Sequence, residues 1–254
     1  MFVKLIVYTK INIFVSIFVQ IDYNMEKKVY GVFVAGGSGV RMGSSVPKQF
    51  LDLAGKPVLL RTLERFVEAI EDINIIVVLP KPHFDTWRKI CLDYGFDYPQ
   101  MLVGGGITRF HSVQNALRRI PDGAVVLVHD GVRPMVSCSL INKLAEMADE
   151  GNCVVPVTAV TDTLKSLVSA QQEGMWQESG EVAPDRGKLF GAQTPQAFPS
   201  EILKSVYETA YQTSFTDDAS VLSYNKIPLT YIQGERYNIK ITTPEDLEFL
   251  RKIY

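Results

Sequence analysis

Cysteine, histidine and net charge are all scarce in this 254-residue chain. The three cysteines, Cys91, Cys138 and Cys153, form no CxxC pair and cannot fill a four-ligand zinc site unaided. They read as small core residues of a protein kept in a reducing compartment. A net charge of −2 and a pI near 6.0 argue against a generic basic surface for nucleic acid. With 46% apolar and 21% charged residues, the composition excludes disordered, collagen-like and coiled-coil classes. No internal repeat or long low-complexity linker is present.

Long apolar runs are also missing. Residues 1–24 are rich in Ile, Val and Phe, but the run between Lys10 and Asp22 is only 11 residues. That is too short to span a bilayer, and Val19-Gln20-Ile21 offers no small-residue cleavage site for a signal peptide. Met25-Glu26-Lys27-Lys28 then reads like a natural start followed at once by a strand. Residues 1–24 are expected to be an upstream extension outside the fold, the rival reading being a membrane-surface anchor.

From Val29 onward, buried-strand runs alternate with amphipathic helices, the pattern of βαβ units and a mainly parallel sheet. Strands are expected at Val29–Ala35, Asn74–Leu79, up to Val103, at Ala124–His129 and at Cys153–Val157. Leu59, Leu63, Phe66 and Ile70 keep helical spacing within Pro57–Ile70, and further helices fall around Phe84–Asp93, around Val113, Ala116, Leu117 and Ile120, and at Leu140–Met147. Between about Thr161 and Leu189 the rhythm fails in a polar, glycine-punctuated stretch that reads as a hairpin arm. Helices from Ser200 and from Thr216 follow, then strands near Leu229–Gln233 and Asn238–Ile241. The last helix has Thr243 as N-cap, Pro244 at its first position, and Glu245 and Asp246 facing its dipole. One α/β domain over residues 25–254 with a protruding arm at about 161–189 is the simplest account.

The most informative segment follows the first strand: Ala35-Gly36-Gly37-Ser38-Gly39-Val40-Arg41-Met42-Gly43. Glycines let backbone N–H groups approach an anion, so the loop suits phosphates. Gly43 is followed by Ser44, which removes the P-loop ending, and the glycine spacing with Leu79-Pro80 after the second strand is a poor dinucleotide fingerprint. Arg41 in the loop and Lys48 just beyond it would suit attack at phosphorus, where negative charge builds on oxygen; the plain alternative is a surface turn with solvated cations. Asp130, at the carboxyl end of a strong strand, reads either as a hard oxygen ligand for Mg²⁺ or as a turn acid. No Ser–His–Asp or Cys–His constellation stands out. His111 and His129 read as packing residues.

The opening AGGSGVRMGSSVPKQF resembles that of the cytidylyltransferases that activate a sugar-alcohol phosphate with CTP, most nearly the 2-C-methyl-D-erythritol 4-phosphate family of the non-mevalonate isoprenoid route. Matching blocks continue in order: GGGITRFHSV, VLVHDGVRP, VTDTLK, GAQTPQAF, TDDAS and NIKITTPEDL. The resemblance implies a Rossmann-like α/β fold of the nucleotide-diphospho-sugar transferase type, and a reaction in which CTP and a polyol phosphate give a CDP-polyol and pyrophosphate with Mg²⁺. It implies nucleotide contacts at Ala35, Gly36, Gly37, Ser38, Gly39, Gly105, Gly106, Ser112, Asp130 and Gly131, and charge stabilisation by Arg41 and Lys48. It assigns the second substrate to Asp130, Arg133, Thr163, Arg186, Thr194 and Lys240, with Arg186 and Lys240 placing it for attack. The family's arm interlocks with a second copy, implying a cytoplasmic homodimer in which Thr163 and Arg186 act across the interface, without nucleic acid or membrane. Where the family carries an acid after the glycine pair, this chain has Ile107, which removes one polar contact to the base. Ribitol-5-phosphate is the alternative acceptor. A nicotinamide-dependent oxidoreductase and a catalytically silent phosphate-binding module are the rivals from other classes, the first lacking its ribose acid.

Overall fold

A computed structural model describes residues 27–37, 46–170, 174–182 and 185–254. Residues 1–24 lie outside this set, as do Ser38, Gly39 and Arg41. The strands are β1 (Val29–Val34), β2 (Asp52–Leu53), β3 (Lys56–Pro57), β4 (Asn74–Leu79), β5 (Gln100–Gly104), β6 (Val125–Asp130), β7 (Val154–Ala159), β8 (Leu167–Ser169), β9 (Trp176–Glu178), β10 (Phe190–Ala192), β11 (Gln196–Pro199) and β12 (Thr230–Gln233). The helices are α1 (Val58–Ala69), α2 (Phe84–Asp93), α3 (Arg109–Leu117), α4 (Cys138–Asp149), α5 (Ser200–Val206), α6 (Asp218–Tyr224) and α7 (Pro244–Ile253).

An eight-stranded sheet in the order β10-β7-β11-β6-β1-β4-β5, with β12 also paired to β7, forms the body. β6, β1, β4 and β5 run parallel, and β12 runs parallel to β7. Helices cover both faces, so the central strands are continuous Val, Ile and Leu rather than alternating. Successive residues still part to opposite faces. Phe33, Ile75, Val77 and Leu127 pack with α1, α2 and α4, while Val32, Ile76, Val78, Val126 and Val128 pack with α3, α5 and α6. The expected mainly parallel sheet is thus the observed one. Cys91 and Cys153 are buried, Cys138 is half-buried, and burial raises all three thiols, Cys153 to about 11.

The carboxyl-terminal third departs from expectation. β10 and β11 were not expected; both run antiparallel to β7, and β11 also pairs with β6. The cap of α6 is Asp217, one residue beyond Thr216, in a reciprocal box with Ser220. Asn238–Ile241, expected as a strand, is not one, and its Asn238 carbonyl accepts from the side chains of Arg133 and Gln193 instead. Helix α3 ends at Leu117, short of Ile120. The arm contains the β8–β9 hairpin. Among the described residues, no helix is long and apolar enough to cross a membrane.

A third, smaller cluster positions the site. Leu247 and Leu250 of α7 pack with Leu53, Val58, Val132 and Ile241. Helix α7 starts as expected, in a box in which Thr243 accepts from the Asp246 N–H while Asp246 Oδ2 accepts from the N–H groups of Thr242 and Thr243, both at 2.8 Å. Partial burial pushes the Asp246 carboxyl up, but these bonds outweigh it and hold the pKa below the ordinary value. Asp246→Asn should destabilise the fold by about 1 kcal/mol, the usual worth of an N-terminal cap. Because the native pKa is depressed, the charged form's contribution is complete above about pH 5 and fades as pH falls through the unfolded value near 3.9 to the native one. Urea denaturation of both proteins across that range should show their curves converging at acid pH.

Candidate active site

The parallel register brings four strand ends together: Val34 lies opposite Asp130 and Val78, and Leu79 lies opposite Gly104. Each strand hands the chain to a turn that is tied to its neighbour. Ala35 N–H donates to Val78 O (2.9 Å), Gly131 N–H to Val34 O (3.0 Å) and Gly105 N–H to Leu79 O (2.9 Å). Small residues are required here. A Cβ on Gly131 would meet Leu59 Cδ1 at 2.8 Å and Ala35 Cβ at 3.1 Å, and one on Gly106 would meet the His111 backbone carbon at 2.8 Å. Ser112, in the first turn of α3, accepts from the Gly106 N–H at 3.0 Å and donates to Thr108 O at 2.9 Å, fixing the glycine turn.

These turns enclose a cavity of about 360 Å³, within the range of small-molecule sites. Ala35, Gly36, Gly37, Gly105, Gly106 and Ser112 line one part, and Lys48, Asp130 and Lys240 another. Ile107 stands on the rim, 96% exposed.

Asp130 is the electrostatic centre. It is only 6% exposed, yet three cations face it: Lys240 Nζ at 2.9 Å and Arg133 Nε at 3.3 Å from Oδ2, and Arg109 Nε at 3.6 Å from Oδ1. Burial alone would raise its pKa; Arg109, Lys240 and Arg133 hold it well below the carboxylate range instead. Lys48 reaches the neighbouring strap, donating to Ile241 O at 3.0 Å.

Support comes from beneath. Asp130 N–H donates to Thr194 Oγ1 (3.0 Å), whose own hydroxyl can then donate to His129 Nδ1 (3.0 Å). That leaves His129 Nε2–H for Arg133 O (3.1 Å). The network thereby assigns His129 as a neutral Nε2–H tautomer. Burial pushes its pKa down to about 3, so it is a fully buried structural histidine. Asn238 Nδ2 donates to Thr194 O, and Arg133 Nη1 donates to Asn238 O, both at 2.8 Å.

The fold therefore gathers Ala35, Gly36, Gly37, Lys48, Gly105, Gly106, Ser112, Asp130 and Lys240 on one cavity, with Gly131 and Arg133 packed against it. Thr194 lies underneath Asp130 rather than on the wall. Thr163 and Arg186 are on the arm and outside this cavity, with Arg186 Nη1 donating to Thr161 O at 2.9 Å. Arg109 is on the cavity wall as well as against Asp130. It also pairs with Asp218, a link across 109 positions that no local motif reveals.

A family model for 2-C-methyl-D-erythritol 4-phosphate cytidylyltransferase matches residues 29–253. The chain belongs to that family. It is 45% identical over 217 residues to the 2-C-methyl-D-erythritol 4-phosphate cytidylyltransferase of Bacteroides fragilis, covering 85% of this chain and 95% of that one. The Porphyromonas gingivalis W83 protein of the same name is 42% identical over 228 residues, covering 89% and 98%. The crystal structure of 4-diphosphocytidyl-2C-methyl-D-erythritol synthase from Anaerococcus prevotii matches with a TM-score of 0.71 at 28% identity, covering 89% and 96%. The protein is thus a nucleotidyltransferase of isoprenoid precursor synthesis, transferring CMP from CTP to 2-C-methyl-D-erythritol 4-phosphate with release of pyrophosphate, and the ribitol phosphate alternative is not favoured.

One wall residue went unnoticed in the sequence. Gln49 is 1% exposed, and among the described residues neither its amide nitrogen nor its oxygen has a hydrogen-bond partner. A buried amide left unpaired costs roughly 1–3 kcal/mol, and this one has both a donor and an acceptor to offer a ligand. Gln49→Met should therefore raise the urea midpoint while raising the KM of one substrate about three- to tenfold, the worth of a neutral hydrogen bond. Steady-state kinetics with each substrate varied in turn, alongside urea titration, checks both signs.

Proposed function

We propose that this cavity carries the CMP transfer by charge placement rather than by acid–base catalysis. A phosphate oxygen of 2-C-methyl-D-erythritol 4-phosphate attacks the α-phosphorus of CTP in line. The new O–P bond forms as the bond to the β-phosphate oxygen breaks, and pyrophosphate leaves with the electron pair. A phosphate monoester, with a second pKa near 6, is mostly dianionic at neutral pH, so no base is needed. The observation that carries this reading is the meeting of Lys48, Lys240, Arg133 and Arg109 with main-chain glycine turns around Asp130, whose neighbour His129 is buried and neutral. Arg41 and Lys48 would stabilise the developing charge, and Gly105, Gly106 and Ser112 would receive the base.

Magnesium fits the donor chemistry. Among the described residues no cluster of three His, Cys, Asp or Glu is present, but Mg²⁺ takes one or two carboxylates and draws its other oxygens from phosphates and water. Asp130 supplies that carboxylate, and Lys240, 40% exposed, is the partner able to yield its place. When bound, the ion would neutralise charge on the triphosphate. Ser38 and Gly39 complete the proposed nucleotide loop.

The second substrate needs further cations, and these we assign to Lys240 and Arg133 of one subunit and to Arg186 of its partner, with the partner's Thr163 hydroxyl beside it, in a cytoplasmic homodimer. Exposed apolar residues of the arm support this: Trp176 is 65% and Met175 53% exposed, and a bare hairpin is marginal on its own.

Pyrophosphate release from CTP with each candidate polyol phosphate tests the reaction, with 2-C-methyl-D-erythritol 4-phosphate expected to be preferred over ribitol 5-phosphate. In the same assay Lys48→Ala should lower kcat about 100- to 1000-fold, as for loss of a preorganised charge-stabilising donor. Activity within about threefold of wild type would remove Lys48 from that role. The cross-subunit assignment predicts that mixing inactive Lys48→Ala and Arg186→Ala chains restores activity, because some mixed dimers hold one intact site. No recovery, or a fully active monomer on gel filtration, would refute it.

A further inference from the structure

The TDDAS segment has no part in the transfer drawn above, yet its second acid meets Arg109 at the cavity. Asp218 is completely buried. Its Oδ2 accepts from Arg109 Nη2 at 2.7 Å and its Oδ1 from the Tyr207 hydroxyl at 2.5 Å. The other edge of the same guanidinium points at Asp130, with Nε 3.6 Å from Oδ1. Tyr207 is itself locked against α3, its ring stacked on Phe110 with centroids 4.6 Å apart.

The turn that presents Asp218 is referenced to the central sheet. Gln196 of β11 donates from Nε2 to Asp217 Oδ2 and accepts at Oε1 from Ala219 N–H, both at 2.8 Å. Gln196 in turn pairs in register with Val128, two residues before Asp130 on β6. Both carboxylates that grip Arg109 are thus fixed to the same pair of strands.

We infer that Asp218 and Tyr207 are positioning residues for the transfer: they fix the Arg109 guanidinium so that it holds Asp130 in place while leaving Lys240 and Arg133 their share of that carboxylate. A stability role accounts poorly for the arrangement. A buried ion pair is commonly replaceable by apolar groups at no loss, and Asp130 already has two other cations. Without Asp218, Arg109 has one carboxylate left to turn to, and by swinging fully onto Asp130 it would pull that carboxylate out of its place in the cavity wall.

This inference rests on the functional reading above, so the test separates the two. Wild-type, Asp218→Asn, Tyr207→Phe, Arg109→Gln and Arg109→Gln/Asp218→Asn chains are assayed with CTP and 2-C-methyl-D-erythritol 4-phosphate, and their melting temperatures are measured. A wild-type chain inactive with every polyol phosphate would sink the functional reading and this inference with it. Given an active wild type, Asp218→Asn should lower kcat about 10- to 100-fold, the cost of a misplaced reacting group, with each KM within about threefold. Tyr207→Phe, which keeps the stacked ring, should lower kcat about three- to tenfold. Adding Asp218→Asn to Arg109→Gln should cost at most about twofold more, because the two act as one unit. Wild-type kcat in Asp218→Asn, or additive losses in the double variant, would overturn the inference. Should Asp218→Asn fail to fold, Tyr207→Phe alone and combined with Arg109→Gln decides it by the same two outcomes.

Discussion

A carboxylate buried at the end of the central strand is tenable only because three separate segments bring cations to it. Arg109 comes from the start of α3, Arg133 from the turn after β6 and Lys240 from the strap before α7. An unpaired charge at Asp130 would cost several kcal/mol, so packing of the helices and assembly of the site are one constraint. The small cluster under α7 illustrates it. By burying Ile241 against Val132 it sets Lys240 over Asp130 and offers the Ile241 carbonyl to Lys48.

The same cations exceed what one carboxylate needs, and that excess fits the cavity to its reaction. Two anions have to meet at one phosphorus, and Coulomb repulsion between them is strongest in a partly enclosed, low-dielectric site. Glycine lets the turns pack tightly where a side chain would clash, as Gly106 and Gly131 illustrate, and the fixed charges need little reorganisation during the reaction. In the proposed reaction a single chain would supply the nucleotide side of this field. The arm, with its apolar residues uncovered, is the element that has most to gain from a second copy.

How much of this was legible follows from which signals are local. β1, β4 and β6 are continuous β-branched runs ended by glycine, proline or acid, and α1, α2 and the capped α7 carry their periodicity and start signals in order, so they read directly. β11 does not, because Gln196 and Pro199 are poor strand residues, and pairing with β6 imposes its conformation. Thr216 and Asp217 are both good caps, and only the box with Ser220 selects the second. The glycine loop, Lys48 and Asp130 announced themselves through short motifs. The Arg109–Asp218 pair, Thr194 beneath Asp130 and the unpaired amide of Gln49 are products of tertiary assembly, for which the matching TDDAS and TPQ blocks were the only trace.

His129 shows why charge placement, and not proton transfer, is what the fold provides. It immediately precedes Asp130, where a general base would be expected in many enzymes. Yet one ring nitrogen faces the Thr194 hydroxyl, the other faces the Arg133 carbonyl, and Phe33 and Phe66 enclose the ring. Protonating it would bury a further cation beside Arg133 and Arg109, which is why its pKa falls to about 3. The imidazole is therefore a neutral spacer that ties β6 to the turn carrying Arg133. In the proposed reaction a nucleophile that arrives already ionised asks for no proton acceptor, and a buried, neutral His129 leaves the positive field at Asp130 to Arg109, Arg133 and Lys240.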